Sequence, residues 1–474
     1  MAFHSYRPLL LAGIGLASIL LLAGCNLAPR QPAPAAPLSQ GWKASAPAGW
    51  VSTDAYQSWN SGQWWQLFGD EALSALMPRV EIGNQNLALA LANVAQAQAL
   101  LQQAQAQLMP TLGAQLAVQR GSGTAGTAGS ASLGLTGAWA PDLWGKLNNA
   151  VQAQGANVQA SQANLAAARL TAQGSLAQAY LALREADAEA ALLQEIITGY
   201  ERSLTITENN YKAGIAARTD VLQAQSTLES ARSSLQALKS GRTTYENAIA
   251  LLLGEPPANF SLAQRPWINT VPQLPAQLPS QLLLRRPDIA SAERAVVVAN
   301  ANIGVARAAW FPSLNLSAGV GGAAANWASL VSTPALTWSL GATVAQTLFD
   351  GGTRNAAIDQ ALATHAAATA SYRQAALTAF GQVENQLTAL DSLGRQITHT
   401  RAAAEAAAGA EQRTLNSYRA GISDYTAVVT AQATALTTRR ALMQLELARQ
   451  QAALALIQAL GGGWQAPWLE AEAS

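Results

Sequence analysis

The chain has one cysteine, Cys25, and three histidines in 474 residues. A single cysteine excludes an intrachain disulfide, and nothing has the spacing of a His/Cys metal site. Charged residues make up only 12%, the net charge is +1, and no long run of either sign occurs. That excludes the basic footprint of a nucleic-acid binder. Beyond residue 25 no apolar run reaches the roughly 20 residues of a spanning helix, so any membrane crossing there must use strands. Catalytic constellations are missing too. His4 lies in the leader, and His365 and His399 are far apart on one helical stretch. No Gly-x-Ser-x-Gly elbow occurs. Gly351-Gly352 and Gly461-Gly462-Gly463 read as turn and cap glycines, and Glu384 and Asp391 as helix-surface groups. These absences predict a protein that is not an enzyme and carries no cofactor or metal.

What is present begins with a sorting signal. Arg7 precedes an apolar run, residues 9–22, which ends in Leu22-Ala23-Gly24-Cys25. The run is too short to span, and the small residues before the cysteine fit a bacterial lipoprotein signal. Residues 1–24 are therefore expected to be removed and Cys25 to carry covalent lipid. Asn26 follows instead of the aspartate that usually retains such lipoproteins at the inner membrane, which favours the outer membrane of a Gram-negative cell. Residues 25–60, rich in Pro, Ala and Trp, read as a lipid-anchored extended arm.

The mature chain nearly repeats itself. The segment from Tyr211 to Gln225 returns 207 positions later, from Tyr418 to Gln432, with eight of fifteen pairs identical. Each copy carries Tyr-x-Ala-Gly-Ile, a helix stop whose glycine permits a left-handed backbone. This predicts two tandem repeats, 61–253 and 287–464, joined by a Pro-rich linker, 254–286, and closed by a tail, 465–474. In each repeat a helix (71–108 in the first) stops at a proline, Pro110 or Pro312. The pattern then changes to period two. Leu112, Ala114, Leu116 and Val118 alternate with small or polar residues, as do Leu133, Leu135 and Trp139; Gly- and Ser-rich 121–130 reads as a flexible loop. Leu314, Leu316, Ala318 and Val320, then Leu336, Trp338, Leu340, Ala342 and Val344, repeat the scheme around a loop at 321–334. Helical stretches of sixty-odd residues follow, 146–210 and 353–417, each roughly 95 Å at 1.5 Å per residue. The return helices keep a seven-residue rhythm: Val221, Leu228, Leu235 and Ile249 in one, Val428, Ala435, Leu442 and Leu456 in the other. Arg242 and Arg449 interrupt both at the same register.

A strand with one apolar and one small polar face suits a barrel wall between lipid and water. Trp139, Trp144, Trp310, Phe311, Trp338 and Phe349 lie near strand ends, where interface girdles place aromatics. Four strands cannot close a barrel, which needs about eight or more. An open edge in lipid strands backbone groups at several kcal/mol each. The chain must share its barrel with copies of itself. Two copies would leave a nearly filled interior; three give a wider pore. The alternative from a different class is a lipid-anchored periplasmic coiled-coil scaffold without a pore, its alternating segments folded as a small soluble sheet.

Four segments carry a family resemblance across essentially the whole mature chain. They are Trp64-Trp65-Gln66-Leu67-Phe68-Gly69-Asp70; Leu283-Leu284-Arg285-Arg286-Pro287-Asp288-Ile289 with Ala292-Glu293-Arg294; the stretch from Ala301 to Leu314; and the twin Tyr-x-Ala-Gly-Ile turn. The chain resembles a TolC-like outer membrane factor of the lipoprotein branch that serves resistance–nodulation–division (RND) efflux pumps. The resemblance implies a homotrimer of mixed α and membrane-β class: a shared outer-membrane β-barrel, four strands per chain, continued by a long α-helical barrel. It implies a passive exit duct that docks to a periplasmic adaptor (membrane fusion protein) and an inner-membrane RND transporter. It also implies that the two turns form a periplasmic tip that gates the pore. Matched position by position, the tip residues are Tyr211, Gly214, Ile215, Thr219 and Asp220, with Tyr418, Gly421, Ile422 and Asp424. Ser423 and Ala427 stand where some relatives carry Arg and Asp; Asp424 and Tyr425 lie beside them. Asp220 at the start of its helix is favoured by the helix dipole; repeated around a ring, it would favour cations.

Overall fold

The computed structural model describes residues 27–29, 41–43, 62–123, 126–272, 286–325, 329–330, 336–464 and 468. The signal segment, Cys25, most of the 25–60 arm, residues 273–285 of the linker and most of the tail lie outside the described residues. A 3-10 turn, Trp64–Phe68, precedes α1 (Glu71–Gly83), α2 (Gln85–Ala106), β1 (Thr111–Gly123), β2 (Gly126–Trp139), α3 (Lys146–Lys212) and α4 (Arg218–Leu252). A second 3-10 turn, Pro257–Asn259, leads on to α5 (Pro287–Ala308), β3 (Ser313–Ala324), β4 (Leu336–Ala345), α6 (Thr353–Arg419) and α7 (Tyr425–Ala459). None of the described helices is long and apolar enough to cross a membrane. The chain divides into two compact units, one of residues 1–36, 92–162 and 291–374, the other of residues 37–91, 163–290 and 375–474.

The first unit holds a single four-stranded antiparallel sheet in the order β1-β2-β3-β4, so β1 and β4 are edges. Its register sorts the residues by face. Leu112 pairs with Gly137, Gly137 with Ala318 and Ala318 with Leu340; the next row is Gly113, Thr136, Gly319 and Ser339. Partners in a row share a face and successive rows alternate. One face therefore carries Leu112, Leu116, Val118, Leu133, Leu135, Val320, Leu336, Trp338, Leu340 and Val344, all exposed in the single chain. The opposite face is small and neutral. Arg120, on the apolar face near the far end of β1, is the only charged residue in the four strands.

The first hairpin corrects one expectation. Residues 121–130, read as a flexible loop, are mostly strand: Arg120 pairs with Gly129, Gly121 with Ala128 and Ser122 with Thr127. Backbone pairing there overrides the low rank of Gly and Ser as strand formers. A second correction concerns residues 71–108, which form two helices. Asn84 breaks them, being extended at φ −73°, ψ 119°. Its Oδ1 accepts from the amides of Asn86 and Leu87, and its Nδ2 donates to the carbonyl of Leu252. That is an N-cap competing with helix continuation.

Aromatic residues gather where helices meet the sheet. Trp139 Nε1 donates to the Leu108 carbonyl at 2.9 Å and Trp144 Nε1 to the Pro312 carbonyl at 2.7 Å. Trp144 stacks on Phe311 with centroids 4.7 Å apart, and the Arg354 guanidinium lies 4.4 Å from the Trp310 ring. Phe349 is exposed just beyond β4, while Trp338 lies near the opposite end of that strand. Residues 27–29 lie along α5: Asn300 donates to the Pro29 carbonyl and Arg307 to that of Leu27. A Cβ at Gly304 would stand 2.9 Å from the Ala28 amide and 2.6 Å from Asn149 Nδ2. Only glycine permits that approach.

The second unit is built on the long helices. Trp64, Trp65 and Phe68 form an edge-to-face cluster, and Asp70 caps α1 by accepting from the amides of Ala72 and Leu73. The same carboxylate accepts from Tyr180 Oη at 2.8 Å. The heptad residues of α4 pack as expected: Leu228, Ala231 and Leu235 join Leu193, Ile197 and Tyr200 of α3. Arg242 leaves that rhythm to bind Asp187 at 2.6 Å, Glu246 at 3.1 Å and the Leu262 carbonyl at 2.6 Å. Residues 260–272 have no regular structure, so side chains satisfy their backbone. Arg184 donates to Ala263 O, Glu246 accepts from the Leu262 amide, and fully buried Gln450 donates to Ile268 O and Thr270 O.

Candidate functional site

The twin turns close α3 and α6 in the same way. In the first, the amide of Gly214 donates to Tyr211 O (2.9 Å) and that of Ile215 to Asn210 O (2.8 Å). In the second, Gly421 donates to Tyr418 O (3.0 Å) and Ile422 to Ser417 O (2.8 Å). This is the Schellman pattern, which satisfies carbonyls left over at a helix end. It demands a left-handed residue, and Gly214 at φ 74° and Gly421 at φ 72° supply it. The residue after each glycine points outward: Ile215 is 75% exposed and Ile422 80%. Tyr211 and Thr219 are exposed as well. The turns thus present bare apolar side chains at the ends of two helical hairpins, α3–α4 and α6–α7.

The return helices start differently. Asp424 is a direct N-cap of α7, accepting from the Ala427 amide at 2.9 Å. α4 has Ala217 at that position, which has no side-chain acceptor. Asp220 compensates by reaching back to accept from the Ala217 amide at 3.3 Å, the acidic half of a capping box. The helix-start role of Asp220 is therefore present in the geometry.

Beneath the turns the two hairpins meet. Tyr418 and Tyr425 are buried edge to face, centroids 5.3 Å apart, with Ala224 and Val428. Tyr418 Oη donates to Thr207 Oγ1 at 3.4 Å, and Gln432 Nε2 to Ser203 Oγ at 3.4 Å. Burial pushes the Tyr425 phenol up to about 12, with Tyr418 and then Asp220 adding to the effect and a hydrogen bond with Thr207 opposing it. Tyr425 was visible in the sequence beside Asp424, but its packing on Tyr418 and the part played by Thr207 had no local signal. Among the described residues no group of three or more His, Cys, Asp or Glu could hold a metal.

The family model for outer membrane efflux proteins matches residues 76–255 and 278–462. The chain belongs to the outer membrane efflux protein family. It is 35% identical to the pyoverdine export outer membrane protein OpmQ of Pseudomonas aeruginosa, over 95% of this chain and 96% of that protein. It is 31% identical to the cation efflux system protein CusC of Escherichia coli O6:H1, over 94% and 97%. A crystal structure of CusC superposes with a TM-score of 0.82 at 29% identity, covering 92% of this chain and all of that one. As a member of this family the chain has the TolC-like fold, mostly helical with one four-stranded sheet, and acts as an exit duct for efflux in the Gram-negative outer membrane.

Proposed function

We propose that three copies of this chain close one passive pore, and that the paired turns are its periplasmic gate and docking tip. The observation that carries the reading is the open sheet. Both edge strands are unpaired on one side, and one face is largely exposed and apolar, with Arg120 its one charge. In hydrocarbon each unpaired backbone group costs several kcal/mol, and soluble packing would not leave that face bare. Copies of the same chain supply the missing strands edge to edge. Two copies give eight strands with a side-chain-filled lumen; three give twelve, and the small neutral face then lines a water-filled passage. Each copy also brings two long hairpins to a helical channel.

The exposed isoleucines at the turns suit a periplasmic adaptor that links the duct to an inner-membrane RND transporter, the source of energy for export. Asp220, repeated once per copy, would form a carboxylate ring that favours cations. The lining face of the sheet carries no charge, so it selects no substrate class, and cargo choice belongs to the transporter. Covalent lipid on Cys25 fits the seat of residues 27–29 on α5, the helix that leads directly into β3. The two matched segments of the family model and the echo of Tyr211 at Tyr418 support a tandem duplication. A lipid-anchored scaffold without a pore is disfavoured by the bare apolar sheet. The test is to replace Cys25 by Ser behind a cleavable signal. A channel still requires detergent for extraction; a protein that becomes freely soluble ends this reading.

A further inference from the structure

The seam between the two hairpins holds charge chemistry that a passive duct does not use. Within one stretch of α3, Arg184, Glu185, Asp187 and Glu189 are all buried. Asp187 is neutralised from both sides, by Arg184 at 3.0 Å and Arg242 at 2.6 Å. Glu189 accepts from Arg440 of α7 at 2.5 Å. Glu185 is the remaining group. It sits one turn before Glu189 on the same helix, so the two carboxyls are neighbours. Its buried Oε1 has no hydrogen-bond partner. With Arg440 engaged by Glu189, full ionisation leaves two buried carboxylates against one guanidinium.

We propose that Glu185 holds a proton beside the Glu189–Arg440 ion pair and that the three form a proton-dependent latch between the α3–α4 and α6–α7 hairpins. One proton balances the cluster as two carboxyls, one of them neutral, and one guanidinium. Loss of that proton to water leaves an uncompensated buried charge on the seam. The groups that act on Glu185 are Glu189 from α3 and Arg440 from α7. Arg242 and Glu246 of α4 pair with each other and with Asp187, and residues 262 and 263 present backbone groups. Among the described residues no charged group of α6 acts on Glu185.

Burial comes first and the Glu189 charge second in raising Glu185 from its ordinary 4.5 to about 7, with Arg440 opposing. The folded seam thus binds a proton that the opened chain releases. The stabilisation is complete below about 4.5, declines as pH rises, and is gone above about 7. This inference does not depend on the number of copies in the pore.

Hydrogen exchange of the full chain in detergent micelles tests it, followed at residues 184–190 and 437–443 and corrected for the intrinsic pH dependence of exchange. Between pH 5.5 and 8.5 wild-type protection is expected to fall by up to roughly thirtyfold, at no more than about tenfold per pH unit, and to level off above about 7. E185Q, a permanently neutral isostere, is expected to be flat across that range. A flat wild-type profile overturns the latch, and so does a fall of the same size over the same range in E185Q. Should E185Q fail to assemble, the wild-type profile decides alone, with E189Q as the second variant: its profile must level off at a lower pH, and an unmoved one overturns the pairing.

Discussion

Two adjacent residues of β4 test the facing of the sheet. Leu340 is 77% exposed in the single chain and belongs to the row Leu112, Gly137, Ala318, Leu340, near the middle of its strand. Ser339 belongs to the next row, on the small polar face. If the apolar face meets lipid, L340R places a guanidinium close to the bilayer midplane at a cost of about 2–4 kcal/mol per copy. S339R places the same group in a watery lumen at little cost. With a urea dependence of roughly 1–3 kcal/mol/M, the L340R penalty corresponds to a midpoint lowered by about 0.7–4 M. The assay is urea unfolding from lipid bilayers, with outer-membrane assembly in cells alongside. S339R should assemble and unfold like wild type, with a changed conductance. Equal damage from both substitutions, or none from L340R, would refute the facing and with it the barrel.

Other outcomes follow from the tip and the helical core. D220N keeps an oxygen to accept from the Ala217 amide but loses the charge, whereas D220A loses both. Cation preference of the reconstituted pore should fall in both, while thermal stability falls by about 0.5–2 kcal/mol only in D220A; unchanged ion preference in both would reduce Asp220 to its capping role. D187A should cost about 3–5 kcal/mol in denaturant unfolding, because Arg184 and Arg242 lose their shared buried partner; a cost under 1 kcal/mol would contradict the pairing. G214A and G421A should each cost about 1–2 kcal/mol from a left-handed backbone with Cβ, read as a lowered melting temperature. Neither change meets any atom within 4 Å, so a larger loss would mean a contact absent from this structure.

The sequence was legible where chemistry is local. Gly214 and Gly421 punctuate the helices so sharply that the expected ends, 210 and 417, fall within two residues of the observed Lys212 and Arg419. Period-two alternation placed β3 and β4, and the register confirms which residues share a face. Legibility failed where pairing overrides propensity. Residues 121–130 have the composition of a loop, and only a partner strand makes them strand. It failed also where a side chain acts at a distance. Asn84 looks like an ordinary helical residue until its amide finds Leu252. Nothing in the sequence singles out Arg184, Glu185, Asp187 and Glu189, since four charges in six residues ordinarily mark a solvated helix face. Their burial depends on residues 262–263, on Arg242 and on Arg440, at least fifty positions away. The tip glycines were visible for the same reason that the Tyr418–Tyr425 pair was not: a turn is written in consecutive residues, whereas the meeting of two hairpins is not.

The central claim is that identical copies complete the ring this chain leaves open. Native mass spectrometry of the mature, lipid-bearing protein released from detergent micelles measures it most directly. The account predicts one species at three times the subunit mass. A folded, membrane-inserted monomer or a dimer would contradict it.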